Sequence, residues 1–467
     1  MAVTELQSTS RIAVIGTGYV GLTTGACFAE LGHDVLCADI VPEKVESLKK
    51  GEIPIHEDGL ESIVRENMKA GRLNFVLGAE NAVKGREFIY LCVPTPQGAD
   101  GRADLSYVEA AAKEIAPHLD RGAVVVNKST VPVGSTLLVE RALQRPDVHV
   151  VSNPEFLREG SAVGDFLNPD RVVIGADDRG AASRVAALYL GVRAPILITD
   201  PASAETCKYA ANAFLATKIS FANAVAAVCE AADADVADVL MGIGYDSRIG
   251  HHFLRPGPGW GGSCFPKDTK AMIGIAEDVG YDFAFLKGVI EVNEQQFDRV
   301  VDKITLAAGD SLKGVKIGVL GLTFKAGTDD MRDSPAIEIT QRLVDAGAVV
   351  RAYDPVGKDC PIPEVEVCDD AYAAAEDAEV LAILTEWNEF KFVDLDKLAE
   401  VMADKHIVDA RNLLDRGAVR RRGFTYEGIG RNSQIPNPDV VLPRDSATST
   451  SVPERVVRKE LVTVEDR

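Results

Sequence analysis

Over residues 11–199, short apolar runs alternate with longer stretches whose apolar residues recur at helical spacing. This is the pattern of a parallel sheet covered by helices on both faces. The runs fall at 11–15, 34–39, 86–93, 122–128, 148–152, 171–175 and 195–199. RIAVI, FIYLCV and AVVVN are continuous, as strands buried on both sides should be. From Asp200 to about Ala308 the strand signal stops, and AETCKYAANAFLATKISFANAVAAVCEAADAD predicts a helix of about seven turns. Its apolar residues go nearly all round, which predicts a connector between domains or a dimer interface. Alternation resumes at Leu312, with runs near 315–321, 348–353, 379–385 and 406–409. There GVKIGVLG and VVRAYDP echo the opening RIAVIGTG and VLCADI, so a degenerate second copy is expected, with Gly318, Gly321 and Asp354 kept but the glycine pattern incomplete. From Pro436 the chain mixes Pro, Ser, Thr and charges without period, and the segment reads as a disordered tail.

A chain of 467 residues predicts two to four domains, each large enough for a core of its own. The net charge of −21 argues against nucleic acid and anionic membrane as partners, and an anionic substrate would need focused cations. Eight cysteines, with no CxxC pair, predict reduced thiols, no disulfide framework and no metal site. The N-terminus lacks a basic start and an apolar stretch, and no apolar run of about 18 residues follows. A cytoplasmic protein is expected.

Gly16, Gly18 and Gly21 form GxGxxG directly after a strand and before a helical run, and Asp39 closes the next strand. The first glycine allows the tight turn, the second lets a pyrophosphate approach the backbone, and the third allows close packing of helix on strand. Asp39 is placed to bond the adenosine ribose, supported by Lys44, and its charge would repel the extra phosphate of NADP. NAD is the expected cofactor. Residues 251–270, HHFLRPGPGWGGSCFPKDTK, gather Gly257, Gly259, Gly261 and Gly262 around Cys264. They predict a loop whose backbone closely approaches a ligand. Lys267 and Asp268 follow, and a cation there would lower the thiol pKa and make the thiolate nucleophile. A nucleophilic thiol beside NAD points to oxidation through a covalent thiohemiacetal. The expected fold is α/β: two Rossmann-like doubly wound parallel-sheet domains joined by a central helical region with one long helix. The expected boundaries are an extension at 1–10, an NAD-binding domain at 11–199, a central helical dimerisation region with the cysteine loop at 200–308, a second Rossmann-like nucleotide domain at 309–435 and the tail at 436–467.

VIGTGYVGL at 14–22, CVPTP at 92–96, KSTVPVGST at 128–136, SNPEFLREG at 152–160, KYAANAF at 208–214, GGSCFPKD at 261–268 and GLTFKAGTDDMRDSP at 321–335 appear in this order. In these motifs the chain resembles the UDP-glucose/GDP-mannose dehydrogenase family from about Arg11 to Arg431. The resemblance implies an NAD-dependent four-electron oxidation of UDP-glucose to UDP-glucuronate, with two NAD per turnover, in a homodimer or larger homo-oligomer. It implies that Tyr19, Val20, Thr95, Thr130, Glu159, Lys267 and Arg332 join the fingerprint, Asp39 and Lys44 around NAD. Glu155, Phe156, Leu157, Arg158, Glu159, Lys208, Asn212, Phe253, Leu254, Arg255, Pro256, Gly257, Gly261, Lys325 and Arg411 would hold the UDP-sugar, with Arg248 reaching a neighbouring subunit's substrate. Cys264 would be the nucleophile, Lys208 and Asn212 the oxyanion donors, Asp268 the organiser of water and Glu155 its general base, with Thr130 among the catalytic set. Asp58 departs from the family pattern in a segment read as exposed loop. The alternatives are the same chemistry on GDP-mannose or a UDP-N-acetylhexosamine, or a two-electron β-hydroxyacid-type dehydrogenase.

Overall fold

The computed structural model describes residues 9–96, 98 and 102–431. The tail expected from Pro436 and most of the extension at 1–10 lie outside the described residues. Strands β1 (Arg11–Ile15), β2 (Asp34–Asp39), β3 (Leu73–Leu77), β4 (Phe88–Leu91), β5 (Val124–Asn127), β6 (His149–Ser152), β7 (Val172–Gly175) and β8 (Ile196–Thr199) form one sheet, ordered β3-β2-β1-β4-β5-β6-β7-β8. Strands β9 (Lys316–Leu320), β10 (Val349–Tyr353), β11 (Glu366–Val367), β12 (Val380–Ile383), β13 (His406–Asp409) and β14 (Thr425–Gly428) form a second, ordered β11-β10-β9-β12-β13-β14. The second order repeats that of the first six strands, and both reverse direction of growth beside their first strand, where dinucleotide folds bind ligand. The internal duplication expected from a pair of glycines and an aspartate is therefore present in the topology.

Alternate residues of β1 feed opposite layers: Ile12 and Val14 join one apolar cluster, Ala13 and Ile15 another. Sequence patterning missed three strands. LNFVL of β3 carries an exposed Asn74, β11 has two residues, and β14 reads Thr-Tyr-Glu-Gly, so none offers a continuous apolar run. The first sheet is parallel as expected except at one place, where β6 meets β7 antiparallel through the pair Ser152 and Gly175. An antiparallel neighbour needs no crossover, so the chain from 153 to 171 stays at the end of the strands where β6 finishes. That end receives the motif containing Glu155 and Glu159.

Helix Pro201–Ala231 begins with Asp200 accepting from the Ser203 N–H at 2.8 Å and proline in its first turn. Its first half packs on β7 and β6, while Ala222, Ala226 and Cys229 join the core of the second sheet. Near its start Glu205 accepts from Gly134 N–H (2.7 Å), Thr136 N–H (2.9 Å) and the Thr136 hydroxyl (2.7 Å), tying the helix to the loop that carries Thr130. By length and composition alone this helix, with an 18-residue window of mean hydropathy 1.3, would suffice to cross a membrane. Buried Lys208, Asn212, Ser220 and Asn223 instead make specific polar bonds inside the protein. The all-round apolar pattern has two causes: one side is core, and the other exposes Phe214, Phe221 and Val228 at seven-residue spacing.

Candidate active site

The opening fingerprint has the shape of an anion cradle. A side chain at Gly16 would meet the Cys92 carbonyl oxygen at 2.6 Å and one at Gly21 the Gly16 carbonyl at 1.9 Å, whereas at Gly18 nothing lies within 4 Å. Two of the three glycines thus serve packing and one faces open space. Helix Tyr19–Glu30, which follows, has no side-chain cap on its first N–H groups, leaving donors for a pyrophosphate. Asp39 accepts from Thr17 N–H (3.0 Å), the Thr17 hydroxyl (2.5 Å) and Lys44 (2.9 Å). Burial opposes its charge, but these bonds outweigh burial and hold the carboxyl near 2. The residues fit NAD. Thr95 donates to the Thr130 carbonyl at 2.9 Å, so these two expected contacts meet at the ends of β4 and β5.

In the second sheet the matching aspartate is spent on structure. Asp354, 3 % exposed, accepts from the N–H groups of Leu322, Thr323, Val356 and Gly357 and from the indole of Trp387. Both of its oxygens are crowded with donors, whereas Asp39 keeps one oxygen bonded only to the Val41 N–H at 3.2 Å, so Asp354 is the poorer acceptor for a ribose.

The chemistry-bearing residues converge from three segments. Lys208 donates to Glu155 Oε1 at 2.8 Å with both side chains about 5 % exposed or less, and Asn212, one turn on, donates to Asp268 Oδ2 at 2.6 Å. Cys264 occupies the N-terminal cap position of helix Phe265–Asp278, where the helix dipole favours a thiolate. Burial nonetheless pushes the thiol up, with Lys208 pulling down and Glu155 and Asp268 adding to the rise. The lysine acting on the thiol is thus Lys208. Lys267, expected from its proximity in sequence, is engaged by Asp268 at 2.5 Å. Burial also acts against the charge of Glu155, but Lys208, the Leu157 N–H and Lys128 together hold it below the usual carboxylate range. Glu159 accepts from Ser263 at 2.8 Å, and burial and Asp330 push it up to about 7.

Of the expected sugar contacts, Phe156 lies under Arg171 at 3.6 Å, Arg158 pairs with Asp165, and Lys325 is partly buried near Glu159 with its pKa lowered, first by burial. Arg332 bonds Asp330 and approaches Glu159 at 3.6 Å. Arg411 donates to the carbonyls of Leu384 and Phe324 and sits beside Gly257. Phe253 adopts a left-handed φ of 62°, Leu254 is buried, and Arg255 is exposed. Arg248 is not brought to the cluster: it is exposed and paired with Asp246 at 2.6 Å. The glycines of this loop need a corrected explanation. A side chain at Gly261 would strike the Asp333 carbonyl at 1.8 Å, and at Gly262 the Phe324 ring at 2.8 Å, so the protein itself approaches them.

Sequence reading missed the groups that brace the site. Asn223 accepts from Gly257 N–H, Gln296 donates to its carbonyl, and Asn293 bonds both N–H and C=O of Trp260. Their signal was buried amides on otherwise apolar helices. Asp58 is exposed as expected, yet its neighbour Glu57 is buried and accepts from Tyr19 (2.8 Å), Gly160 N–H (2.7 Å) and Ala162 N–H (2.6 Å), clamping the fingerprint helix to the Glu159 segment. Lys128, ending a run of apolar residues, is a buried cation beside Glu155.

A dinucleotide cradle facing a cysteine, a lysine and three carboxylates, on paired α/β domains, defines an NAD-dependent oxidoreductase. Residues 10–192, 202–295 and 318–416 match the NAD binding, central and UDP binding domains of the UDP-glucose/GDP-mannose dehydrogenase family, and the chain belongs to that family. It is 48 % identical over 435 residues to the UDP-glucose 6-dehydrogenase of Rhizobium meliloti, covering 90 % of this chain and 99 % of that one. UDP-glucose 6-dehydrogenase TuaD of Bacillus subtilis is 48 % identical over 434 residues, covering 90 % and 93 %. A UDP-glucose dehydrogenase structure from Pyrobaculum islandicum matches with TM-score 0.85 and 39 % identity, covering 92 % of this chain and all of that one. A UDP-D-ManNAc dehydrogenase from Pyrococcus horikoshii matches with TM-score 0.81 and 31 % identity, covering 90 % and 99 %.

Proposed function

We propose that this enzyme oxidises the primary alcohol of UDP-glucose to the carboxylate of UDP-glucuronate, with Cys264 carrying the carbon between two hydride transfers. The observation that carries the reading is the buried set of Lys208, Glu155 and Asp268 acting on the thiol of Cys264 at a helix N-terminus, with Asn212 bonded to Asp268. Bound NAD supplies the hydride acceptor in each half. Lys208 and Asn212 stabilise the oxyanion, a role in which a buried, preoriented cation is strong. Cys264 Sγ adds to the aldehyde, and loss of the second hydride leaves a thioester. Glu155 acts as base for the hydrolytic water, with Asp268 and Thr130 organising it. The positive side chains that focus on an anionic diphosphate are Lys325 and Arg411, and the preference for UDP-glucose rests on the identities to proteins of that name.

Two further readings belong here. The seven-residue stripe of Phe214, Phe221 and Val228 supports a homodimer along the long helix, with Arg248 directed at the neighbouring subunit's sugar. The absence of paired cysteines and the net charge of −21 support a cytoplasmic enzyme acting on neither nucleic acid nor membrane.

Turnover stoichiometry tests the chemistry. Two NADH per UDP-glucose are expected, and Cys264→Ala should yield at most one with no acid product; a ratio of one in the wild type would overturn the covalent route. A panel including GDP-mannose and UDP-N-acetylhexosamines tests the sugar.

A further inference from the structure

The thiol of Cys264 must lose a proton before or as it attacks, and among the described residues neither Glu155 nor Asp268 is hydrogen-bonded to it. Glu155 receives Lys208 on one oxygen and the Leu157 N–H on the other. Asp268 receives Lys267 on one and Asn212 on the other. Ser263 is different. Its hydroxyl lies 3.6 Å from Cys264 Sγ, a hydrogen-bonding distance for sulfur, and donates to Glu159 Oε1 at 2.8 Å. Among the described residues this is the one hydrogen-bonded chain from the thiol to a carboxylate. The far end of that chain is equipped to accept a proton: Glu159 Oε2 is buried and makes no hydrogen bond. An ionised pair of carboxylates has no hydrogen to share, but a protonated Glu159 would donate to neighbouring Asp330, whose own charge is held by Arg332 at 2.6 Å.

We infer that Ser263 and Glu159 form a proton relay that activates Cys264, an assignment that rests on the proposed covalent oxidation. As the C–S bond forms at the aldehyde carbon, the thiol proton passes to Ser263 Oγ, and the Ser263 proton passes to Glu159 Oε1. The aldehyde oxygen becomes an alkoxide beside Lys208, ready to release hydride without a further proton transfer. Nothing is oxidised or reduced in the relay itself. The serine touches the reacting sulfur, and Glu159 acts through it. The relay fits the electrostatics around both ends. Burial raises Glu159 to about 7, Asp330 adds to the rise, and Arg332, Tyr19 and Lys325 also face it. A base near neutrality can take a proton and return it within one turnover. The thiol itself is faced by Lys208, Glu155, Asp268 and Arg332, and the hydrogen bond from Ser263 is among the influences lowering its pKa.

The test is the pH dependence of Cys264 alkylation by iodoacetamide in the full-length protein, followed by mass spectrometry of the Cys264 peptide. Ser263→Ala should move the inflection upward by about one pH unit, slowing alkylation about tenfold below it, and Glu159→Gln should remove the inflection near 7 that the titration of Glu159 imposes on the wild-type profile. Ser263→Thr, which restores a hydroxyl, should return the shifted inflection toward the wild-type position. An inflection unchanged in Ser263→Ala or a Glu159→Gln profile identical to the wild type would overturn the relay, as would a Ser263→Thr curve that matches Ser263→Ala. Because alkylation needs no sugar, failure of the relay stays separable from failure of the proposed oxidation, which the NADH stoichiometry reads.

Discussion

Lys128 is 5 % exposed and forms no ion pair among the described residues, resting instead on Asn153 Oδ1 at 3.3 Å and the Tyr189 hydroxyl at 3.4 Å. Burial drives its pKa from 10.5 down to about 8, against the pull of Glu155. A lysine whose folded pKa lies below its unfolded one costs stability in full below the folded value, and the cost fades as pH rises toward the unfolded value. Lys128→Met is therefore expected to stabilise the protein by about 3 kcal/mol at pH 7, read as a higher urea midpoint. The gain should shrink between pH 8 and 10.5; a gain independent of pH would count against this origin. The same variant removes one of the groups that hold Glu155 ionised, so the acidic limb of its activity profile should move upward. A cation retained at such a cost is consistent with electrostatic service to Glu155.

At the scale of elements, the site is an assembly of segments fastened by single carboxylates. Glu57 joins the fingerprint helix to residues 160–162, and Glu205 joins the long helix to the loop before Ser135. Removing such an acceptor leaves backbone donors buried without partners, at about 1–3 kcal/mol. Glu57→Ala should lower the thermal midpoint and raise KM for NAD more than KM for the sugar, since its contacts lie at Tyr19 and the Glu159 segment. Equal changes in both constants would place its effect on general folding. Asn293, which clasps both backbone groups of Trp260, should behave oppositely: Asn293→Ala loosens the cysteine loop and raises KM for the sugar first.

For the whole molecule, Phe214, Phe221 and Val228 are more than half exposed on one line of the long helix. Large apolar side chains in such a row call for a partner surface. Phe221→Glu is expected to yield monomers in light scattering, with loss of turnover if Arg248 completes the neighbouring subunit's site. An oligomer that survives this change would exclude the helix as the interface.

How much of this was legible follows from where each signal lives. The glycine fingerprint, Asp39, the long helix and Cys264 could be read directly, because turn chemistry, helical spacing and nucleophile chemistry are local properties of the chain. Even the duplication was visible in a few residues, although only the strand orders give it force. The bracing amides, Glu57, Lys128 and the Ser263 to Glu159 bond were hidden, because each acquires meaning from a partner tens or hundreds of residues away. Asp354 shows the limit most sharply: it occupies the same position as Asp39 in its own copy, yet packing crowds both of its oxygens with backbone donors and Trp387. Sequence alone determined the long helix, the strands with continuous apolar runs and the chemical groups the protein owns; tertiary structure decided which polar segments join the sheets, which groups are paired off and which remain available, because burial and hydrogen bonding are set by neighbours in space.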